Sequence, residues 1–295
     1  MRSLLFVPGD SPKKLEKGLS SGADILLIDL EDSVALSAKP EARRVTAAFL
    51  AEQRAAAVRP RLFVRVNGLT TGLIDADLDG VMNAAPDGIM LPKAVGGADV
   101  SHLGAKLAVR EAEFGLDDGA TRILAIATEN AAGIFALGTF AGASHRLTGL
   151  TWGGEDLSAD LGAEANRDEA GAYTEPYRLA RSLTLFGATA AGVDAIDSVY
   201  TNFRDMTGLE AECRMARRDG FVAKMAIHPA QVPVINEAFT PSSEAIERAR
   251  AVVETFRANP EAGVVGIEGE MVDRPHLLRA ERLLRRDGQF RDAGS

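Results

Sequence analysis

Short, nearly continuous apolar runs recur along the chain, separated by longer stretches in which apolar residues return every three to four positions. Eight runs have this character: Leu4–Val7, Ile25–Leu30, Leu62–Val66, Gly88–Leu91, Ile123–Ala127, Leu147–Trp152, Ala195–Val199 and Ala223–Ile227. Runs of this length, rich in Ile, Leu and Val, read as strands buried on both faces, as a parallel sheet requires. The segments between them, among them Lys39–Ala57, Val100–Glu113, Ala131–Ala141, Tyr177–Phe186 and Gly208–Arg218, carry helical periodicity. Strand–helix alternation predicts βαβ units, and eight of them suit a closed barrel better than an open sheet. The expected fold is an α/β (β/α)8 TIM barrel over residues 1–240. No internal repeat or low-complexity stretch interrupts it, and Ala258–Gly263 is the one linker-like segment.

After residue 240 the pattern changes. Thr240-Pro241-Ser242-Ser243 is a good opening for an amphipathic helix over Ser242–Arg257. Gly263–Val272 reads as a small hairpin and Pro275–Arg286 as a short basic helix. Residues 241–295 are thus a C-terminal helical and hairpin extension, surplus to the barrel, expected to act as a lid, an oligomer arm, or both.

The strand ends carry the chemistry. Pro8-Gly9-Asp10 follows the first run and Glu31-Asp32 the second; the third carries Arg65 and Asn67, and the fourth ends in Lys93. The fifth ends in Glu129-Asn130, the sixth in Glu155-Asp156, the seventh carries Asp197 and the eighth ends in His228. Charged groups are costly inside a barrel, but at its C-terminal rim they converge on one mouth, where barrel enzymes react. Solvated loops would also place polar residues there. Two strand-end acid pairs, a third Glu, an Arg and a Lys together favour a site.

Composition narrows the possibilities. The chain has 295 residues, 46% hydrophobic and 25% charged, which is enough apolar material for a large core. A net charge of −9 argues against a nucleic-acid surface. The single cysteine, Cys213, cannot form an internal disulfide, which fits a reducing cytoplasm. The opening MRSLLFVPGDSPKK is too short in its apolar run for a signal sequence, and no run approaches membrane-span length.

The blocks RSLLFVPGDSPKKLEK, ADILLIDLEDSV, FVRVNG, IMLPK, ATENAAG, WGGEDL, AIHPAQVPVI and GEMVDRPHLLRAERLL, in this order from Arg2 to about Leu284, resemble the citrate lyase β-subunit-like family. That family lies in the HpcH/HpaI aldolase superfamily and includes malyl-CoA and citramalyl-CoA lyases. The resemblance implies a Mg²⁺-dependent carbon–carbon lyase. Its substrate would be a 3-hydroxy acyl-CoA thioester of the malyl, citramalyl or citryl kind, and its products an acyl-CoA and a 2-oxo acid. A homotrimer, or a hexamer made of two, is the implied assembly. The same resemblance leaves open a β-subunit of a multi-subunit citrate lyase that uses a carrier-protein thioester. A class II aldolase for 2-keto-3-deoxy acids is disfavoured by the CoA-side motifs, and a non-catalytic scaffold by the intact acid and Arg set.

Carried over residue by residue, the resemblance puts the metal on Glu129 and Asp156, with helix caps or ion-pair partners as their alternative. Two carboxylates suit Mg²⁺, which keeps several non-protein ligands. Glu31, Asp32 and Glu155 are candidates for the surrounding layer, and Gly153-Gly154 could present backbone N–H groups to a carboxylate. Arg65 matches the residue that polarises the thioester carbonyl, with pairing to nearby acids as its alternative. Lys93 would hold a substrate carboxylate or order the acids. Asp273 corresponds to the general acid/base, reaching the mouth of a neighbouring subunit; otherwise it caps the helix opened by Pro275. Arg2, Phe6, Lys14 and Lys17 would lie beside the first βα loop and receive the CoA phosphates and adenine, with solvated surface charge as the alternative for the two lysines. Ser11 departs from the basic residue that some relatives carry. His228, Trp152 and Cys213 read as structural.

Overall fold

In the computed structural model, which describes residues 1–267 and 269–292, eight parallel strands close into a barrel in sequence order. They are β1 (Ser3–Pro8), β2 (Ile25–Asp29), β3 (Arg61–Arg65), β4 (Gly88–Leu91), β5 (Arg122–Ile126), β6 (Leu147–Thr151), β7 (Asp194–Asp197) and β8 (Ala223–Ala226). All eight strands expected from the apolar runs are present, with ends displaced by at most two residues. Helices such as Lys39–Gln53, Gly97–Glu113, Glu175–Ala191 and Met206–Asp219 occupy the segments between them. The fold is the expected (β/α)8 barrel. No helix among the described residues is long and apolar enough to cross a membrane.

Strand side chains alternate between two apolar environments. Leu4, Ile25, Leu27, Phe63, Met90, Leu124, Ile126, Ile196 and Met225 meet in the barrel interior. Their neighbours Leu5, Leu26, Ile28, Leu62 and Val64 are buried on the opposite face. Burial of each such side chain stabilises the fold by about 1.5–3 kcal/mol.

The register then decides what stands at the rim. β2 pairs with β3 so that Asp29 lies opposite Arg65 at the last paired positions of both strands. Each shares the interior face of its strand, two residues beyond Leu27 and Phe63 respectively. On β7 the interior position belongs to Ile196, so Asp197 faces outward. There it accepts from Trp152 Nε1 at 2.8 Å and pairs with Arg181 and Lys224, both at 3.0 Å. Asp197 is fully buried in this layer, and its expected place at the mouth is corrected. Burial opposes its charge, but Lys224 and Arg181 hold its pKa below the ordinary carboxylate value.

Chain contacts divide the protein after Asn236, and a second unit begins at Glu237. It contains helix Ser243–Ala258, an antiparallel hairpin of β9 (Val264–Ile267) and β10 (Glu270–Asp273), and helix Arg274–Asp292. Its core is formed by Val252, Val253, Phe256, Val272 and Ala280, with Leu277 packed against them.

Gly88 shows how closely the interior is filled: a Cβ there would lie 2.1 Å from Phe63 Cε1. Phe63 is only 1% exposed, so its ring has little room to retreat. Gly88→Ala is expected to destabilise the barrel by about 1–3 kcal/mol, the usual range for overpacking. Urea unfolding would show this as a lowered midpoint; a midpoint equal to wild type would contradict the tight interior.

Candidate active site

The C-terminal ends of β2 to β6 bring together a connected set of charges. Arg65 forms a two-pronged pair with Asp29, Nε to Oδ1 and Nη2 to Oδ2, both at 2.7 Å. Its remaining nitrogen, Nη1, lies 2.9 Å from Glu31 Oε2 and 3.5 Å from Asp32 Oδ2. The Glu31 contact is an ion pair without hydrogen-bond alignment, so Oε2 is a buried oxygen with no hydrogen bond. The guanidinium also lies 4.8 Å from the centre of the Phe6 ring. Burial works against the Arg65 charge, but Asp29 and then Glu31 and Asp32 outweigh it and raise its pKa. Burial likewise works against the Asp29 charge, and Arg65 reverses the balance, holding its pKa below the ordinary value.

Glu31 connects this half of the site to Lys93. Lys93 Nζ lies 2.6 Å from Glu31 Oε1 and 3.2 Å from Asp156 Oδ1. The Lys93 backbone N–H donates to Glu129 Oε2 at 2.5 Å. One residue therefore touches Glu31, Glu129 and Asp156. The peptide is held in an unusual shape for this, since Lys93 has φ of 54°, the left-handed region that side-chain-bearing residues seldom adopt.

Local sequence places the two assigned metal carboxylates. Asn130 caps helix Ala131–Ala136 by accepting from the Gly133 N–H at 2.8 Å, which fixes the turn just after Glu129. Asp156 lies in the first turn of helix Gly154–Leu161, where a carboxylate is favoured by the helix dipole. Between them the Glu129 side chain lies against the Gly153 backbone: a Cβ at Gly153 would come within 2.6 Å of Glu129 Cγ. Glu129 is 4% exposed. Burial, and then the nearby Asp156 charge, push its pKa up to about 8. Burial also raises the Glu31 pKa, although Arg65 and Lys93 oppose the shift.

The residues fit a hard divalent cation. A buried carboxylate that resists ionisation beside a second carboxylate gains most from a positive ion, and Mg²⁺ needs only one or two protein carboxylates. Among the described residues no group of three or more His, Cys, Asp or Glu side chains is arranged as a metal cage. A site here would be completed by water or substrate oxygens.

Other expected residues are placed differently. Arg2 precedes β1 and pairs with Asp24, just before β2, through Nη2 at 2.8 Å and Nε at 3.1 Å. That is the N-terminal end of the barrel, opposite the mouth, so Arg2 does not lie beside the first βα loop as expected. The position follows from Arg2 entering β1 rather than leaving it. Lys14 and Lys17 are exposed on helix Pro12–Leu19. Glu155 is exposed and accepts from Asn166 Nδ2 at 2.9 Å. A Cβ on Gly154 would press on Trp152 and Tyr173, at 3.2 and 3.4 Å. Asn67 is a structural residue, donating to the Leu30 carbonyl and Asp77. His228 stacks on Phe203 and accepts from the Ala230 N–H. Asp273 ends β10 in the second unit, exposed, with its carboxylate on His276 Nδ1. That bond lowers its pKa.

Two contributors had not been anticipated. Asp29 was read only as part of a strand, although an acid ending an otherwise apolar run was a visible signal. Lys39, at the start of its helix, donates to the Leu30 and Glu31 carbonyls at 2.8 and 3.0 Å and so orients the loop that presents Glu31. Nothing in the sequence near Lys39 distinguishes it from a solvated helix residue.

The sequence profile described as HpcH/HpaI aldolase/citrate lyase matches residues 2–229. Citrate lyase subunit beta of Leuconostoc mesenteroides subsp. cremoris is 33% identical, over 96% of this chain and 92% of the relative. A (3S)-malyl-CoA thioesterase of Cereibacter sphaeroides is 35% identical, covering 96% of this chain and 93% of its own. The crystal structure of CitE from Mycobacterium tuberculosis in complex with magnesium, acetoacetate and coenzyme A superposes with a TM-score of 0.76. It is 35% identical and covers 97% of this chain and 98% of that chain.

The raised Glu129 pKa has a thermodynamic consequence. A carboxylate whose folded pKa exceeds its unfolded value favours the fold fully below the unfolded pKa, and that contribution is lost as pH rises through the folded pKa. Between the ordinary glutamate value of 4.5 and about 8, wild type should therefore lose stability that a neutral amide keeps. In chelator-treated protein, Glu129→Gln is expected to exceed wild type by about 2–4 kcal/mol at pH 9, with the difference shrinking toward pH 5. Calorimetry across this range checks it; a difference independent of pH would contradict the buried, destabilised carboxylate.

Proposed function

This chain belongs to the HpcH/HpaI aldolase/citrate lyase family, and we propose that it is a Mg²⁺-dependent lyase of a 3-hydroxy acyl-CoA thioester, such as malyl-, citramalyl- or citryl-CoA. The observation that carries this reading is the single contact chain Arg65–Glu31–Lys93–Asp156, with Glu129 held on the Lys93 amide. It joins an electrophile-stabilising cation to a paired-carboxylate seat within one rim. The magnesium and coenzyme A of the Mycobacterium tuberculosis structure support the assignment of both to this chain.

Glu129 and Asp156 hold the cation. A Mg²⁺ held there would supply Lewis-acid polarisation to the departing 2-oxo acid half of the substrate. Arg65 answers the charge that develops at the other end of the breaking bond. Its Nε and Nη2 are committed to Asp29, which fixes the guanidinium plane, and Nη1, paired with Glu31 and Asp32, is the edge that would turn to the thioester oxygen. As the carbon–carbon bond breaks, its electron pair moves into the acyl fragment, giving a thioester enolate, while the 3-hydroxyl proton passes to solvent and a 2-oxo acid departs. Hydrogen bonds from a prealigned Arg favour that enolate over the neutral thioester. Asp273 exchanges the proton at the acyl α-carbon, a role assigned by family resemblance. The His276 contact lowers its pKa and so favours the charged carboxylate.

The Cereibacter sphaeroides thioesterase supports one second reading, hydrolysis of the same class of thioester. The two reactions differ in products: carbon–carbon cleavage releases an acyl-CoA and a 2-oxo acid, whereas hydrolysis releases a free CoA thiol and the intact hydroxy acid. Incubation of the purified chain with malyl-, citramalyl- and citryl-CoA, with and without Mg²⁺, is expected to give acyl-CoA plus 2-oxo acid only when the cation is present. Immediate release of free thiol without a 2-oxo acid would favour the hydrolase. Turnover confined to a carrier-protein thioester would favour the multi-subunit citrate lyase arrangement.

Arg65→Lys keeps the charge but loses the two-pronged geometry. A fall in kcat of about 100-fold or more, with substrate affinity less changed, is expected, as for loss of an oxyanion donor. Asp273→Asn should lose α-carbon proton exchange, measured by deuterium incorporation from solvent. Full exchange in that variant would remove Asp273 from the mechanism.

A further inference from the structure

The proposed chemistry leaves Lys93 without a task, yet the fold goes to some length to place it. Its φ of 54° lies in the left-handed region, and such positions persist where the surroundings over-determine them. What holds it is the site itself. The amide N–H is on Glu129 Oε2, and the ammonium is shared between Glu31 Oε1 at 2.6 Å and Asp156 Oδ1 at 3.2 Å. Both carboxylates assigned to the divalent cation are thus already engaged by one residue, but by different groups. The amide on Glu129 is neutral, uses one oxygen and does not compete with a cation. The ammonium on Asp156 carries the same sign as the incoming ion and holds one oxygen, Oδ1, of a carboxylate the ion would share.

We propose that Lys93 is a built-in counter-ion of the divalent-cation site: its ammonium neutralises Asp156 while the seat is empty, and cation uptake is an exchange in which it leaves Asp156 and stays on Glu31. This rests on the assignment of Glu129 and Asp156 to the cation. The seat to which the ammonium withdraws already exists. Glu31 is 6% exposed, its carbonyl is tied down by Lys39 Nζ, and its Oε1 is the nearer of the two acids to Lys93. The ammonium also lies 3.7 Å from Asp32 Oδ2, so on leaving Asp156 it keeps two of its three acids, Glu31 and Asp32. Displacing Asp156 from Lys93 costs the incoming ion the attraction it replaces, so the affinity of the empty site is held down. The Lys93 side chain is 39% exposed, so water screens the interaction and the expected effect is moderate rather than extreme.

The test is a Mn²⁺ titration of the metal-free full chain, followed by electron paramagnetic resonance at fixed neutral pH without substrate. Lys93→Asn removes the charge while remaining compatible with positive φ, a region in which Asn is enriched. It is expected to bind Mn²⁺ at least about tenfold more tightly than wild type, equivalent to about 1.4 kcal/mol. Lys93→Arg keeps the charge and should stay within about threefold, and Lys106→Asn, on a distant helix, controls for net charge and should stay within about twofold. Tightening in Lys93→Asn should vanish when Glu129→Gln is added. Thermal melting confirms folding; Lys93→Gly, which also accepts positive φ, repeats the titration if the Asn variant melts early. Equal or weaker Mn²⁺ binding in both charge-removing variants overturns the counter-ion role alone, as does tightening that survives Glu129→Gln. Failure of wild type and Lys93→Asn alike to bind Mn²⁺ overturns the cation assignment itself.

Discussion

Five carboxylates, Asp29, Glu31, Asp32, Glu129 and Asp156, crowd one rim of the barrel against two cations, Arg65 and Lys93. That imbalance is the constraint on which the site depends. Three of them, Asp29, Glu31 and Glu129, are buried and cannot all ionise without positive charge close by, because burial penalises the charged form. Arg65 settles one end by committing two of its nitrogens to Asp29. Lys93 settles the middle by bridging Glu31 and Asp156. Glu129 is left as the carboxylate with the least compensation, which is why its pKa rises furthest among the rim acids and why a divalent cation belongs beside it.

The barrel makes this tolerable. Its interior is filled by Leu, Ile, Met and Phe side chains from all parts of the strands, so the charges can gather only where the strands end. Parallel pairing sets Asp29 opposite Arg65 without help from any loop. Loop-borne groups then need only short reach: Lys93 from the end of β4, Glu129 from the end of β5, and Asp156 from the first helical turn after β6. The layer outside the barrel has a separate charge network, in which Lys224, Asp197, Arg181 and Glu212 neutralise one another. There Lys224 and Asp197 are fully buried, and the network continues outward to Asp219 and Arg167.

The difference between those two networks also marks what the amino-acid order makes legible. Apolar runs bounded by Gly, Pro and acids identified every strand, since a doubly buried strand leaves an unmistakable record. The acids after the runs pointed to the rim because strand ends in a barrel share one face. Period-two alternation decides which neighbouring residue turns inward, and it was the step not applied to Asp197. Arg2 was misplaced for a related reason: a residue that enters a strand and one that leaves it lie at opposite ends of the barrel, however close they are in sequence. Asp29 could have been recognised as an acid at an inward position. Lys39 could not, since its role depends on a tertiary approach to two carbonyls that no local pattern encodes.

The family resemblance and the rim geometry meet in one claim, that Glu129 and Asp156 share a divalent cation. The most direct test is anomalous diffraction from crystals of the chain soaked in Mn²⁺. A single peak is expected within about 2.0–2.3 Å of one oxygen from each carboxylate, with water filling the remaining positions. A peak that contacts neither acid, or no ordered peak at saturating Mn²⁺, would contradict it.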